Sequence, residues 1–370
     1  MPDRGGGIIA GTDAAEVVQR GCGRPWLILS VSMSWVGVAQ LARLAEQRTG
    51  KLQHSSIVPF MVCANAAAWM LLAMPHMLRK LREVGAPMDD VGVASRTFRS
   101  LWTDAFEVSQ PPRFLAIALS TNFCYIAALH FLPASLNTAV FCTNPIFTLL
   151  LSCAWLPADV GVDTPLPTTS RLRTAILSRR CMSVGLSVLG VLLIAEPWDA
   201  VAGRSHIRVV GVFLSLISAW GTSAYQVYFK LTFGVRLRPD EVGLFLAHMG
   251  VWSTLVLGFV LVGLLTTGAY NLDLALVPWH LVALTACASA LFNFLIKFGL
   301  SVDSPLAISL ATQIGIPLNL LLDVVVIQAN IDSSQALGAL VMLVSFTLQQ
   351  QSDSQSANKP NGLSERLMGD

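Results

Sequence analysis

Several stretches of 18 or more mostly apolar residues constrain this chain more than any other feature of its sequence. A helix of about 20 apolar residues crosses the roughly 30 Å hydrocarbon core of a bilayer, where lipid offers the backbone no water for hydrogen bonding. Charged residues make up only 12% of the chain, against roughly 25% in soluble proteins. The sequence therefore predicts an all-α, polytopic membrane protein.

Ten apolar segments, called spans 1 to 10 below, are predicted to be transmembrane helices. A short turn precedes span 4 and another precedes span 9, so the two groups of five spans share one spacing pattern. Because five is odd, the second half is predicted to be inverted relative to the first. The spans lie at roughly 25–42, 57–77, 113–131, 133–156, 181–198, 208–229, 243–266, 278–299, 304–327 and 333–350.

This spacing divides the chain into two five-helix halves with a tail at each end. The parts are a cytosolic N-terminal tail (1–24), a first half (25–200), a second half (201–350) and a C-terminal tail (351–370). The C-terminal tail is rich in Gln, Ser and Asn, a composition that predicts disorder.

The distribution of basic residues predicts how the chain is oriented. Of the 24 Lys and Arg residues, 19 fall on the side of the two termini and five on the opposite side. Since cytosolic loops carry the excess of Lys and Arg, both termini are predicted to be cytosolic. This bias is equally compatible with an endomembrane, such as a Golgi or vesicle membrane, and with the plasma membrane.

Spans 4 and 9 contain two segments with the same proline spacing. Shifting residues 133–152 by 172 places Pro133 on Pro305 and Pro145 on Pro317. Apolar segments interrupted by proline at matching positions of two halves point to the binding site of a transporter.

The polar residues of these two segments form one stripe on each helix. At about 100° per residue, the span 4 stripe covers a sector of roughly 80° and the span 9 stripe roughly 120°. Such stripes either line a cavity or bond across a helix–helix interface. The span 4 stripe is Asn137, Asn144, Thr148 and Ser152, and the span 9 stripe is Ser309, Thr312, Gln313, Asn319 and Asp323.

A few further polar groups lie at membrane depth and have two interpretations each. Lys297, with Asn293 one turn away, either extends to the interface or binds an anion. Tyr225 either packs between helices or presents its ring to a pocket. Asp323 either caps the interfacial end of span 9 or pairs with a basic group, or it provides the counter-charge for a cation or a coupling proton.

Motifs of enzymes and cofactor proteins are missing from the sequence. No nucleophile–base motif, metal-ligand spacing or phosphate-binding glycine loop is present. The seven cysteines contain no Cys-x-x-Cys pair and mostly lie in apolar spans, where they behave as small hydrophobic residues. We therefore expect no enzymatic activity, metal or cofactor. The expected partners are a small-molecule substrate and the lipid bilayer, with no nucleic acid.

Several motifs resemble those of one transporter family. In the second half they are Ser218–Lys230 with Gly234, then Glu241, Phe245 and His248, then Pro278, Trp279, Ala290–Ile296 and Gly299, and finally Pro305–Ser309, Thr312, Ile316–Asn319 and Asp323. In the first half they are Ala128–Ser135 and Ala139–Asn144. The two-half pattern resembles the drug/metabolite transporter superfamily. The motifs resemble its solute carrier family 35, F subgroup, and specifically the thiamine-transporter-like members.

The resemblance extends over about residues 115–345 and carries functional expectations. It implies a monomer or homodimer in a eukaryotic membrane that works by alternating access around a cavity lined by spans 4 and 9. It also implies thiamine or a similar small organic cation as the substrate.

Two other functions are compatible with the same residues. Nucleotide-sugar and phosphate-ester exchangers of the superfamily use Lys or Arg near the cavity, a role that Lys297 could take. A membrane receptor or scaffold that kept the fold without transporting anything would need none of the polar stripe residues.

Overall fold

The computed structural model of this protein is helical throughout the regions that it describes, and these regions contain no β-strand. They include nearly all of the second half and the helical parts of the first. The described residues are 25–52, 57–84, 111–129, 131–132, 137, 140–156, 179–195, 206–233, 237–327 and 332–357.

Helix is present in each of the ten predicted spans. Span 2 consists of two α-helices joined by a 3₁₀ segment, and the other spans each hold one principal α-helix. The α-helices are Pro25–Leu52, Val58–Ala68, Met74–Val84, Pro111–Leu129, Asn144–Trp155, Arg179–Ala195, His206–Phe233, Pro239–Thr266, Trp279–Val302, Pro305–Ile327 and Ser333–Ala357, and the 3₁₀ segment of span 2 is Trp69–Ala73.

Five helical segments within the described ranges are long and apolar enough to cross a membrane by length and composition. They belong to spans 1, 2, 7, 8 and 9. Their bounds are Trp26–Thr49, Val58–Arg79, Pro239–Thr266, Trp279–Val302 and Pro305–Leu322. The multi-pass character expected from composition is therefore present.

Several helices continue beyond the apolar runs that predicted them. The helix of span 1 ends at Leu52, and that of span 10 ends at Ala357. Residues 351–357, which were predicted to belong to a disordered tail, are therefore helical, and the rest of that predicted tail lies outside the described residues. Gln and Lys are good helix formers, so backbone hydrogen bonding continues into the polar interface after the hydrophobic signal has ended.

The two predicted halves make matching helix contacts. Span 1 packs against spans 8 and 9, and span 6 packs against spans 3 and 4. Span 2 packs against spans 7 and 8, and span 7 packs against spans 2 and 3. Moving every span number by five maps this set of contacts onto itself: the contact between spans 2 and 7 is unchanged, and the others exchange in pairs.

Spans 5 and 10 form an antiparallel pair with reciprocal contacts. The Ser183 hydroxyl donates to the Ser345 carbonyl at 2.9 Å, and the Ser345 hydroxyl donates to the Ser183 carbonyl at 2.7 Å. Gly190 and Gly338 lie against each other's carbonyl oxygens, leaving no space for a Cβ atom. Small residues allow this close approach, so the position of each glycine is set by the opposite helix.

An aromatic cluster joins spans 3, 6 and 7. The Phe114 ring lies 5.3 Å from that of Tyr225, 5.2 Å from that of Phe245 and 6.1 Å from that of Phe229 between centroids. Buried residues of spans 8 and 9, including Leu300, continue this core. The polar residues of spans 4 and 9 are therefore next to a densely packed apolar region.

Candidate functional site

The polar stripes of spans 4 and 9 meet inside the protein. The hydroxyl oxygens of Thr148 and Ser309 lie 3.1 Å apart, and the Ser309 hydroxyl also donates to Gln226 Oε1 of span 6 at 2.5 Å. All three side chains are buried. The contact joins the two halves through side chains alone, so it can open without disrupting any helical backbone.

The backbone of span 4 is broken beside this contact. Pro145 occupies the first turn of the helix that begins at Asn144, and Cys142 and Thr143 form a turn before it. The Ile146 amide donates to the Thr143 carbonyl at 3.0 Å. In a continuous α-helix that amide would donate to the Cys142 carbonyl, which is consequently free to accept a bond from elsewhere.

Gln313 of span 9 provides the hydrogen-bond donor for the Cys142 carbonyl that the break releases. Its Nε2 donates to the Cys142 carbonyl, and its Oε1 accepts a hydrogen bond from the Ser187 hydroxyl of span 5. The side chain is buried. One amide therefore connects spans 4, 5 and 9.

Asn144 contributes both its backbone and its side chain to this region. Its carbonyl accepts from the Ser223 hydroxyl of span 6 at 2.7 Å and from the Thr148 hydroxyl at 3.1 Å. Its side-chain Oδ1 is buried and has no hydrogen-bond partner among the described residues. Buried polar atoms are normally satisfied, so this oxygen is suited to accept a bond from a ligand.

Asn137 lies nearer the start of span 4 and resembles Asn144. Its Nδ2 donates to the Tyr125 carbonyl at 3.2 Å, and its own carbonyl accepts from the Ser215 hydroxyl at 3.1 Å. Within the described regions its Oδ1 also has no partner. Two amide oxygens of the same stripe are thus available as acceptors.

Lys297 points into the protein and not toward the interface. Its side chain is only 8% exposed, and Nζ lies 4.4 Å from the centroid of the Tyr225 ring. No carboxylate in the described regions forms an ion pair with it. Tyr225 directly precedes Gln226 in the chain, so this cation–π pair adjoins the polar contact between spans 4 and 9.

Two more predicted site residues, Asn293 and Asn319, make hydrogen bonds outside this group of contacts. Asn293 Nδ2 donates within its own helix, to the Ser289 carbonyl at 3.0 Å. Asn319 Oδ1 accepts from Gln40 Nε2 of span 1 at 3.2 Å. Asp323 lies on the span 9 helix, and its side chain is outside the described residues.

Some contributors were not predicted as site residues from the sequence. Ser187 and Ser223 are single small polar residues in apolar spans, and Gln226 is an amide close to the end of span 6. A polar residue in an apolar span was the available signal for all three. Many serines and threonines of the apolar spans give the same signal. Which of them contribute to the site depends on how spans 5 and 6 pack on span 4.

Comparison with known proteins identifies several relatives, although no protein-family profile matches the chain. Human solute carrier family 35 member F3 is 24% identical over 337 residues, which cover 87% of this chain and 71% of the relative. Human solute carrier family 35 member F4 is 25% identical over 281 residues, which cover 74% of this chain and 48% of the relative. The thiamine-repressible mitochondrial transport protein THI74 of Saccharomyces cerevisiae is 23% identical over 242 residues, which cover 64% of this chain and 60% of the relative.

A solved crystal structure has the same overall fold. Its TM-score is 0.55 at 16% identity, with 87% of this chain and 96% of that chain aligned. At this identity the likeness concerns the fold alone. The sequence relatives confirm the resemblance to the F subgroup of solute carrier family 35, and they support a multi-pass membrane transporter of the solute carrier kind.

Proposed function

We propose that the chain is a secondary active transporter that moves a small organic solute by alternating access, as a monomer or homodimer with both termini in the cytosol. Two inverted halves of five transmembrane helices would rock around a site between spans 4, 6, 8 and 9. The matching contacts of spans 1 and 6, and of spans 2 and 7, support this arrangement. So does the short link between spans 8 and 9, where only Asp303 and Ser304 separate two helices.

The observation that carries the proposal is the buried hydrogen-bonded contact between Thr148, Ser309 and Gln226. Polar groups are costly at membrane depth and usually mark a substrate or ion path. These groups satisfy one another across the two halves while the site is closed. When the halves separate, the same hydroxyl and amide groups become available to a solute.

Thiamine or a similar organic cation is the first candidate substrate. The resemblance to the F subgroup supports it. The Oδ1 atoms of Asn137 and Asn144 have no hydrogen-bond partner among the described residues, and they fit a solute that carries amino N–H donors. Asp323 would supply the negative charge.

A phosphate ester or nucleotide sugar is the second candidate, and Lys297 is the observation that favours it. A buried ammonium group that contacts a tyrosine ring and forms no ion pair among the described residues is expected to gain more from an anionic ligand than from a cationic one. Lys297 would then be essential and Asp323 replaceable.

Thermal unfolding of the purified protein with a ligand panel separates these candidates, because a ligand that binds only the folded state raises Tm. The panel contains thiamine, choline, thiamine diphosphate, a nucleotide sugar and a triose phosphate. We expect a thiamine shift that is lost in Asp323→Asn and kept in Lys297→Gln. Asp332→Asn, which removes an exposed carboxylate just before span 10, is the matched control.

Each alternative predicts a different result. Shifts confined to phosphate esters and lost in Lys297→Gln would replace the cation proposal by the anion exchanger. A ligand that shifts Tm but is never accumulated by proteoliposomes would favour the receptor or scaffold.

A further inference from the structure

Trp35 of span 1 is partly exposed although it lies on the packed face of its helix. At about 100° per residue, it lies within about 40° of Ile28 and Val31 around the helix, and both are buried. Met33 and Leu44, each about half exposed, lie about 160–180° away, on the face that a membrane span turns to lipid. The Trp35 side chain is nevertheless 37% exposed. Its open surface therefore faces a space between helices and not the lipid.

Residues of spans 8 and 9 fix the position of this indole ring. The Phe292 ring centroid lies 5.0 Å from that of Trp35, with the two rings inclined by 38°. A Cβ atom at Gly315 would lie 2.5 Å from Trp35 Cδ1, so only glycine allows the ring to approach span 9 this closely. About one turn earlier, the Ser32 hydroxyl donates to the Ala311 carbonyl at 2.7 Å. The ring is therefore held against both helices before any solute arrives.

The indole ring lies at the middle of the membrane. Trp35, Phe292 and Gly315 are each ten residues from the end of their helix that is predicted to be cytosolic. At about 1.5 Å per residue this is roughly 15 Å, which is half of a hydrocarbon core. Tryptophan is normally enriched at the two membrane interfaces. A tryptophan at mid-membrane that faces inward is thus unusual and points to a ligand.

The polar site described above lies on the same two helices. Gln313 is two residues before Gly315 on span 9, and Lys297 is five residues after Phe292 on span 8. Along the helix axes these separations are about 3 Å and about 8 Å. A solute that consists of a ring and a polar part has the dimensions to reach both the indole and the polar groups.

An indole face distinguishes flat rings from other apolar groups. Aromatic rings stack on it in an offset arrangement, and this pairing stabilises a complex beyond the area that it buries. A positively charged ring gains a cation–π attraction in addition. A compact solute without a ring fits the same space but cannot stack.

We propose that Trp35 is a stacking platform for a planar heteroaromatic ring of the transported solute. The proposal rests on the transport function proposed above and narrows the class of solute. Thiamine and nucleotide sugars carry such a ring, whereas choline and triose phosphates do not.

The first experiment tests where position 35 faces, without any solute. Trp35→Cys and Met33→Cys are each made in a chain without the native cysteines and reconstituted in proteoliposomes. A membrane-impermeant methanethiosulfonate reagent should label Trp35→Cys and leave Met33→Cys unlabelled. The reason is that position 35 faces a space that opens to water during transport, and position 33 faces lipid.

The second experiment compares two matched pairs of probes: thiamine with choline, and UDP-glucose with dihydroxyacetone phosphate. Dissociation constants come from the dependence of Tm on ligand concentration. Within the pair that binds, Trp35→Leu should weaken the ring-bearing probe about tenfold and the ringless probe less than about twofold. Trp35→Phe keeps a ring and should recover most of the loss. Trp26→Leu, which removes an exposed tryptophan of the same span, is the matched control and should bind like the wild type.

Several outcomes would overturn the platform. Failure to label Trp35→Cys would do so whatever the solute is. Equal losses of the ring-bearing and ringless probes in Trp35→Leu would also overturn it, and so would a wild type that binds only choline or only dihydroxyacetone phosphate. In these cases the proposed transport of a small solute stands. Binding of none of the four probes would count against both proposals.

Discussion

Spans 4 and 9 have the same proline spacing but different backbones. In span 4 the chain turns at Cys142 and Thr143, and Pro145 starts a new helix. In span 9, Pro317 lies inside one helix that runs from Pro305 to Ile327. A proline removes one amide donor wherever it occurs, so its surroundings decide whether the helix breaks or continues.

The difference gives the two spans complementary roles. The break in span 4 leaves the Cys142 carbonyl accessible, and span 9 supplies Gln313 to bond it. The position of span 4 that matches Gln313 is Phe141, 172 residues earlier, which has no such donor. Two segments of equal pattern have thus become an acceptor and a donor, and the following predictions test that division.

The largest effect is expected from locking the two spans together. Thr148→Cys with Ser309→Cys, in a background without the native cysteines, places two thiols where the hydroxyl oxygens are 3.1 Å apart. Oxidation should form a disulfide that abolishes transport in proteoliposomes, and a reductant should restore it. The reason is that alternating access requires the two stripes to separate.

The control for this experiment links two helices that move together. Gly299→Cys with Ile308→Cys joins spans 8 and 9, where Gly299 packs directly on the Ile308 side chain. Transport should survive that link. Full uptake after complete cross-linking of the Thr148→Cys, Ser309→Cys pair would contradict rocking about this contact.

The second prediction concerns Gln313 itself. Gln313→Leu removes both of its hydrogen bonds and leaves the Cys142 carbonyl and the Ser187 hydroxyl unsatisfied. We expect a loss of about 1–3 kcal/mol in unfolding free energy, seen as a lower Tm in detergent. Thr312→Val is the matched control, because that hydroxyl bonds only the Ser309 carbonyl of its own helix in the described contacts. Equal Tm values for the two variants would contradict the role of Gln313.

The third prediction concerns the turn that precedes span 9. Lys230 of span 6 is buried, and its Nζ donates to the carbonyls of Leu300 at 2.9 Å and Asp303 at 3.1 Å. These carbonyls end the span 8 helix, so the lysine caps it. Lys230→Met should destabilise the protein by about 1–2 kcal/mol and speed hydrogen exchange of residues 301–306. Unchanged exchange there would show that the turn does not depend on this cap.

The sequence predicted part of this site because the relevant signals are local. Periodicity placed Thr148 and Ser309 on polar faces of spans 4 and 9, and the two faces meet. Periodicity could not place Asn319, since its partner Gln40 belongs to span 1 and is chosen by packing. The direction of Lys297 was also undetermined, because a long side chain near a helix end can extend either way until a ring such as Tyr225 lies beside it.

The smallest and most specific effect is a coupling between Pro145 and Gln313. Pro145→Ala supplies an amide donor that allows the helix to continue back through residues 140–144, where the Ile146 amide would bond the Cys142 carbonyl. That carbonyl would then be less available to Gln313, so Gln313→Leu should cost less in the Pro145→Ala background. We expect a coupling of about 0.5–1 kcal/mol from a double-mutant cycle of unfolding free energies.

The same cycle with Pro317→Ala should show less coupling, since that proline lies within a helix that is already continuous. Equal coupling at both prolines would mean that the break in span 4 does not create the acceptor, and the two spans would then be alike in mechanism as well as in sequence pattern.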